Sequence, residues 1–175
     1  MRDQTAQEST SAGPADTVLI EELVIANRIL SQEGIVDGFG HVSVRHNANP
    51  ERFLLAGSIA PELVTAADLV EYDFDANPIN LGDSRQYLER FIHAEIYRAR
   101  PDVQAVVHNH SPAAIPFGVS SVPLRPIYHM ASFIGEGLPI FDIRDAFGTT
   151  QMLISDPMRG RALAETLADR PAALM

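Results

Sequence analysis

The apolar run at residues 103–107, which ends in His108-Asn109-His110, is the feature that most constrains how this chain can fold. A short apolar run of this kind predicts a buried strand. Side chains two residues apart lie on the same face of a strand, so both imidazoles are expected to project together from its end. Two nitrogen ligands placed in this way suit one metal ion. The alternative is two polar residues at a strand end, one exposed and one hydrogen-bonded, and the pair alone fits both interpretations.

The composition narrows the classes of protein that this chain can belong to. Its 175 residues, of which 46% are hydrophobic and 21% charged, predict one globular domain. The formal charge of -10 argues against a nucleic-acid partner, and the sequence has neither a membrane-spanning apolar run nor a secretory signal. Because there is no cysteine, a metal ion would have to be bound by His, Asp, Glu or water. A cytoplasmic enzyme that acts on a small molecule fits these features, as would many other functions.

Patterns along the chain predict a mixture of helices and strands. Residues 1–15 are polar and are expected to be a disordered tail, and residues 16–175 to form one domain. Helices are predicted at residues 17–32, 84–98 and 156–168, and strands at 41–45, 52–56, 69–74 and 103–107. Helices mixed with hairpin-like strands predict an α/β fold, with three α/β/α layers around a mixed, largely antiparallel sheet.

Glu89 is the second candidate functional residue. It lies on the predicted helix that directly precedes the histidine strand, and the short connection between them should pack helix and strand side by side. A carboxylate near the start of that helix could reach the space above the two histidines. The alternative is a solvated helix face, which we prefer for Glu95 and Arg98. His93, one turn after Glu89, is expected to be a hydrogen-bonded packing residue.

Three segments together resemble the class II aldolase/adducin family. They are residues 89–111 with Glu89 and His108-Asn109-His110, residues 40–45 (Gly-His-Val-Ser-Val-Arg), and residues 146–149. The resemblance covers about residues 17–175. It implies a divalent metal, commonly zinc and alternatively manganese or cobalt, held by three histidines, of which two match His108 and His110. It also implies that Glu89 is the catalytic acid/base, ideally with a pKa raised by burial, and that the protein forms a homotetramer.

The chain departs from the family pattern at the third metal ligand and at the phosphate site. The family's third histidine would lie after Met175, so we expect a domain that is incomplete at its C-terminus. Gly57 and Ser58 match the phosphate-binding loop of the sugar-phosphate aldolases, but Tyr87 and Leu88 replace the paired Ser or Thr before the catalytic glutamate. Fewer phosphate donors and additional histidines indicate a carboxylate-bearing substrate. The predicted substrate-binding residues are His41, Ser43, Gly57, Ser58 and His129.

These features predict a metal-dependent carbon–carbon lyase that stabilises an enolate-type intermediate. The Gly-His-Val-Ser variant resembles family members that decarboxylate hydroxylated aromatic or ring-cleavage acids. Two alternatives stay open. One is an aldolase or epimerase that acts on a sugar or sugar phosphate, and the other is a non-catalytic adducin-like domain or a truncated, inactive fragment.

Overall fold

A computed structural model describes residues 10–135 and 137–175 of the chain. The first nine residues of the predicted disordered tail lie outside the described residues. Where the description begins, the Ser11 hydroxyl and the Ala12 N–H both donate hydrogen bonds to the carboxylate of Glu71, at 2.6 and 2.8 Å. This part of the N-terminal segment therefore contacts the third strand of the sheet.

The centre of the fold is a four-stranded antiparallel sheet. Its strands are β1 (His41–Arg45), β2 (Arg52–Ala56), β3 (Leu69–Asp73) and β4 (Ala105–His108). They lie in the order β3-β2-β1-β4, so the strand carrying His108 is at one edge. The helices are α1 (Thr17–Gln32), α2 (Arg90–Ala99), α3 (Ile115–Gly118), α4 (Ile143–Phe147) and α5 (Pro157–Leu167). Short 3₁₀ turns occupy Pro61–Leu63, Ala66–Asp68 and His129–Ile134.

Helices cover both faces of the sheet. Along β2, Leu54 packs with the α1 residue Leu23 on one face, whereas Phe53 and Leu55 pack with α2 and α5 on the other. This alternation is the period-two pattern that a strand buried on both faces requires. The predicted α/β/α layering is thus confirmed, with an antiparallel sheet and one isolated parallel bridge between Ile140 and Leu174.

Helix α5 packs tightly against α2 because a glycine lies at their contact. A Cβ atom on Gly160 would stand 2.6 Å from the carbonyl oxygen of Phe91, so any larger residue would push the two helices apart. The start of α5 follows the predicted pattern, since Asp156 caps the helix and Pro157 occupies its first turn. None of the helices in the described part of the chain is long and apolar enough to cross a membrane.

The predicted helix at residues 84–98 is wrong at its start, because α2 begins only at Arg90. The preceding segment is held by the loop after β2: the Ser58 N–H donates to the Arg85 carbonyl at 2.6 Å, and the Tyr87 hydroxyl donates to the Ile59 carbonyl. These two hydrogen bonds hold residues 85–87 against the loop at residues 58–59. Their contribution outweighs the local helix propensity of residues 84–89. As a result, Glu89 occupies the N-cap position of α2.

Candidate metal and acid–base site

Three ionisable side chains converge at the end of β4. His41 of β1 lies directly opposite His108 of β4 in the antiparallel register, so both side chains are on the sheet face that α2 covers. Glu89 reaches the same place from the start of α2. One ring nitrogen of each histidine and one carboxylate oxygen of Glu89 all lie within 4.8 Å of one another. The sheet register and the helix start together therefore build this cluster.

His110 joins the cluster from outside the strand. β4 ends at His108, and His110 lies in the segment that follows it. The Nε2 atoms of His108 and His110 are nonetheless 3.0 Å apart, so the two predicted ligands do meet. The other ring nitrogen of His110, Nδ1, is 3.1 Å from a carboxylate oxygen of Asp37. A carboxylate in this position orients the ring and directs the opposite nitrogen toward its ligand.

Glu89 is anchored at both carboxylate oxygens. Its Oε2 lies 3.4 Å from Nε2 of His108, and its Oε1 accepts a hydrogen bond from the Ile154 N–H at 3.1 Å. Burial acts to raise the pKa of Glu89, but the hydrogen bond and the charge of His108 outweigh it, so the pKa lies below its ordinary value. The expected upward shift is therefore wrong for the chain without a metal ion. Glu89 is held as a carboxylate, the form that can accept a proton.

The donor set fits a divalent metal ion. Two imidazole ligands of a tetrahedral zinc ion, each about 2.0–2.1 Å from the metal, stand about 3.3 Å apart. The 3.0 Å between the Nε2 atoms of His108 and His110 is close to that spacing. The side chain of His108 is only 6% exposed, so its nitrogen needs a partner in the site. His108 and His110 could therefore hold the metal, with Glu89 beside it.

Behind His41 runs a buried chain of hydrogen bonds. His41 Nδ1 is 2.6 Å from His93 Nε2, His93 Nδ1 is 2.6 Å from Ser43 Oγ, and Ser43 Oγ is 2.8 Å from the Tyr97 hydroxyl. All four side chains are at most 2% exposed. His93 is thus a hydrogen-bonded packing residue, as expected. The burial of Ser43 argues against the predicted contact between this residue and a substrate, because both of its neighbours would have to move first.

The buried histidines should make the fold sensitive to acid. Burial, aided by the nearby His108, lowers the pKa of His93 from 6.5 to about 3, so folding requires the neutral ring. In the unfolded chain the His93 ring takes up a proton below pH 6.5, whereas in the folded chain it stays neutral down to about pH 3. The contribution of the neutral ring to the free energy of unfolding is therefore complete above pH 6.5 and is lost as the pH falls toward 3. We expect His93 to contribute a loss of about 2–3 kcal/mol in the free energy of unfolding between about pH 6.5 and 4.5.

Urea unfolding at several pH values measures this acid dependence. The His93→Gln variant, which has no ionisable group at this position, should show a shallower slope than the wild type. The exposed His129→Gln variant is the matched control and should keep the wild-type slope. Equal slopes in all three proteins would contradict the assignment, as would a titration of the His93 ring near its ordinary pKa in NMR spectra of the wild type.

The remaining predicted substrate residues lie in two other places. Gly57 is buried under the segment at residues 84–85. The contact is close, since a Cβ atom on Gly57 would stand 2.9 Å from Cβ of Ser84. Ser58 is exposed beside it. His129 is exposed and has a ring contact with Tyr128, and none of its described contacts is with the His41–Glu89–His108 cluster. The substrate roles of these three residues stay predictions.

Two supporting residues escaped the sequence interpretation. Tyr97 lies four residues after His93, a helical spacing that places both on one face of α2 and could have indicated their common environment. Asp37 belongs to a turn in which its carboxylate also accepts hydrogen bonds from the N–H groups of Phe39 and Gly40. An aspartate is common at this position of a turn, so nothing in the sequence indicated that Asp37 also contacts His110.

The comparisons with known proteins agree with this architecture. The family model of the Class II Aldolase and Adducin N-terminal domain matches residues 21–175. The chain is 36% identical over 154 residues to Decarboxylase tropJ of Talaromyces stipitatus, an alignment that covers 85% of this chain and 58% of that protein. It is 27% identical over 170 residues to the 3,4-dihydroxyphthalate decarboxylase of Arthrobacter keyseri, covering 89% of this chain and 64% of that one. The chain therefore spans about three fifths of the length of these curated relatives.

Solved structures support the same fold. An L-fuculose 1-phosphate aldolase from Glaciozyma antarctica superposes with a TM-score of 0.72 at 24% identity, covering 93% of this chain and 65% of that one. At this identity the likeness bears on the fold alone. The family match, in contrast, extends over nearly all of the described residues and includes Glu89, His108 and His110. The chain belongs to the class II aldolase and adducin family.

Proposed function

We propose that this chain carries the active site of a divalent-metal-dependent carbon–carbon lyase that decarboxylates a hydroxylated aromatic or ring-cleavage carboxylic acid. The observation that carries the proposal is the convergence of His108, His110 and Glu89 at one end of the sheet, with His41 directly opposite His108. The similarity to two proteins named as decarboxylases supports this choice of reaction.

The surroundings of the cluster favour a carboxylate over a phosphate group. In the sugar-phosphate aldolases, the loop matching Gly57-Ser58 and the two residues before the glutamate bind phosphate. Here the Ser58 N–H is bonded to the Arg85 carbonyl, and the Tyr87 hydroxyl to the Ile59 carbonyl. These donors are engaged within the fold, which supports a substrate without phosphate.

Each residue of the site then has a distinct task. The metal, when bound, supplies Lewis-acid stabilisation of the negative charge that develops on the substrate oxygens. His108 and His110 would hold it, with Asp37 fixing the ring of His110. Glu89, a carboxylate anchored by the Ile154 N–H, is placed to accept and return a proton at Oε2. His41 faces the same space and would bind the substrate carboxylate.

Several finer features of this proposal follow the family. We propose zinc as the metal, with manganese and cobalt as alternatives, and a small-molecule substrate. We also propose a homo-oligomer, a tetramer. A cytoplasmic location stays a prediction from the sequence.

The test is release of carbon dioxide by the zinc-loaded protein. Dihydroxybenzoate-type and ring-cleavage acids form one arm of the assay, and sugar phosphates form the other. We expect carbon dioxide from at least one hydroxylated acid and no cleavage of sugar phosphates. Aldol cleavage of a sugar phosphate without decarboxylation of any acid would overturn the proposal in favour of an aldolase.

A further inference from the structure

The buried chain from Tyr97 to His41 determines which nitrogen of His41 carries its hydrogen. Four side chains take part, and the three contacts between them are each 2.8 Å or shorter. The Tyr97 phenol, the Ser43 hydroxyl and the two neutral imidazoles each have one hydrogen to place. Burial lowers the pKa of both imidazoles and raises the pKa of the phenol, which agrees with this count.

One arrangement pairs three of these hydrogens with acceptors inside the hydrogen-bond chain and leaves the fourth facing the site. Tyr97 donates to Ser43, Ser43 donates to His93 Nδ1, and the Nε2–H of His93 donates to His41 Nδ1. The hydrogen of His41 is then on Nε2, on the opposite edge of its ring. That nitrogen has no hydrogen-bond partner among the described residues.

The reverse arrangement leaves a buried donor without a partner. If His41 donated from Nδ1 to His93, then His93 would donate to Ser43 and Ser43 to Tyr97. The Tyr97 hydroxyl also has a backbone hydrogen bond with Val106, which lowers the pKa of the phenol and is therefore donated to its oxygen. Ser43 is thus the acceptor that the described residues offer to Tyr97, which is 1% exposed. Leaving a buried donor unpaired costs about 1–3 kcal/mol, so the first arrangement is favoured.

We infer that His41 presents an Nε2–H hydrogen-bond donor to the site, and that it binds an oxygen of the acidic substrate instead of serving as the third metal ligand. The inference separates His41 from the two histidines near it. By distance alone His41, Glu89 and His108 could share a metal ion. A metal ligand needs a lone pair, however, and the hydrogen-bond chain places that lone pair on Nδ1, where His93 occupies it.

Ser43, His93 and Tyr97 become positioning residues in this account. They touch neither substrate nor metal, and they act by fixing the tautomer and the orientation of His41. The substrate contact of His41 rests on the proposed function, whereas its tautomer does not.

The first test is a long-range proton–nitrogen correlation spectrum of the metal-free 175-residue chain with nitrogen-labelled histidine. We expect a protonated Nε2 and an unprotonated Nδ1 for His41, assigned by the signals that disappear in the His41→Gln variant. A protonated Nδ1 with a free Nε2 would overturn the inference. This spectrum requires no catalysis, so its outcome is independent of whether the protein is a decarboxylase.

The second test compares zinc binding by His41→Gln and His108→Gln, which carry the same substitution at facing positions of β1 and β4. Loss of a ligand should weaken zinc binding about 100-fold or more in His108→Gln, while His41→Gln should bind within about threefold of the wild type. Equal losses in both variants would show that His41 is a metal ligand. Circular dichroism spectra of both variants establish that they fold.

Discussion

The Glu89→Gln variant is expected to lower kcat for decarboxylation by about 10²- to 10⁴-fold, the usual contribution of a positioned acid–base group. The reason lies in the placement of the carboxylate, because Oε1 accepts a hydrogen bond from the Ile154 N–H and Oε2 lies on the side of His108. Glutamine keeps the size of the side chain but cannot accept and return a proton. The measurement is steady-state kinetics of carbon dioxide release by the zinc-loaded protein.

A matched control for Glu89 lies on the same helix. Glu95 is also buried, at 3% exposure, so the solvated position expected for it is wrong. It pairs with Arg98 and Arg161 away from the cluster. Glu95→Gln should therefore keep kcat within a few-fold of the wild type, although it can lower stability. If Glu89→Gln kept nearly full activity with its zinc content unchanged, Glu89 would not be the acid–base group.

Loss of either proposed metal ligand is expected to weaken zinc binding by about 100-fold or more, and to abolish activity at zinc concentrations that saturate the wild type. His108→Gln and His110→Gln each remove one of the two nitrogens that lie 3.0 Å apart. With one histidine left, the chain would hold the ion by a single imidazole. Competition titration with a zinc-binding dye measures the change in dissociation constant.

Another buried histidine provides the control for this experiment. His46 is 2% exposed, and its Nδ1 accepts a hydrogen bond from the Ala48 N–H, outside the cluster. His46→Gln should bind zinc as the wild type does. A loss of affinity in His46→Gln as large as that in His108→Gln would mean that the effect reflects general destabilisation of the fold and not loss of a ligand.

The secondary structure could be predicted from the sequence wherever local patterns govern it. The apolar spacing of α1 and the alternation in β1 placed these two elements at the residues where they occur, and β2 also lies at its predicted residues. The start of α2 could not be predicted, because Tyr87 and the backbone of Arg85 are held by the distant loop at residues 58–59. Such long-range bonds override helix propensity and leave no periodic pattern in the sequence.

The proximity of Glu89, His108 and His110 was predictable from the sequence, but the geometry of the cluster was not. The spacing of Glu89, His108 and His110 marked them as partners, although only His108 lies within the strand. The position of His41 opposite His108 depends on the register of two strands far apart in the sequence, which local patterns do not determine. The direction of hydrogen bonding from Tyr97 to His41 depends in turn on that register.

Binding of a divalent metal ion by His108 and His110 can be observed by anomalous scattering from crystals soaked in zinc. We expect an anomalous peak about 2.0–2.1 Å from Nε2 of both His108 and His110. Nε2 of His41 should lie outside coordination distance of that peak. A saturating soak that gives no peak between these two histidines, or that places the zinc ion elsewhere, would show that they are not the metal ligands.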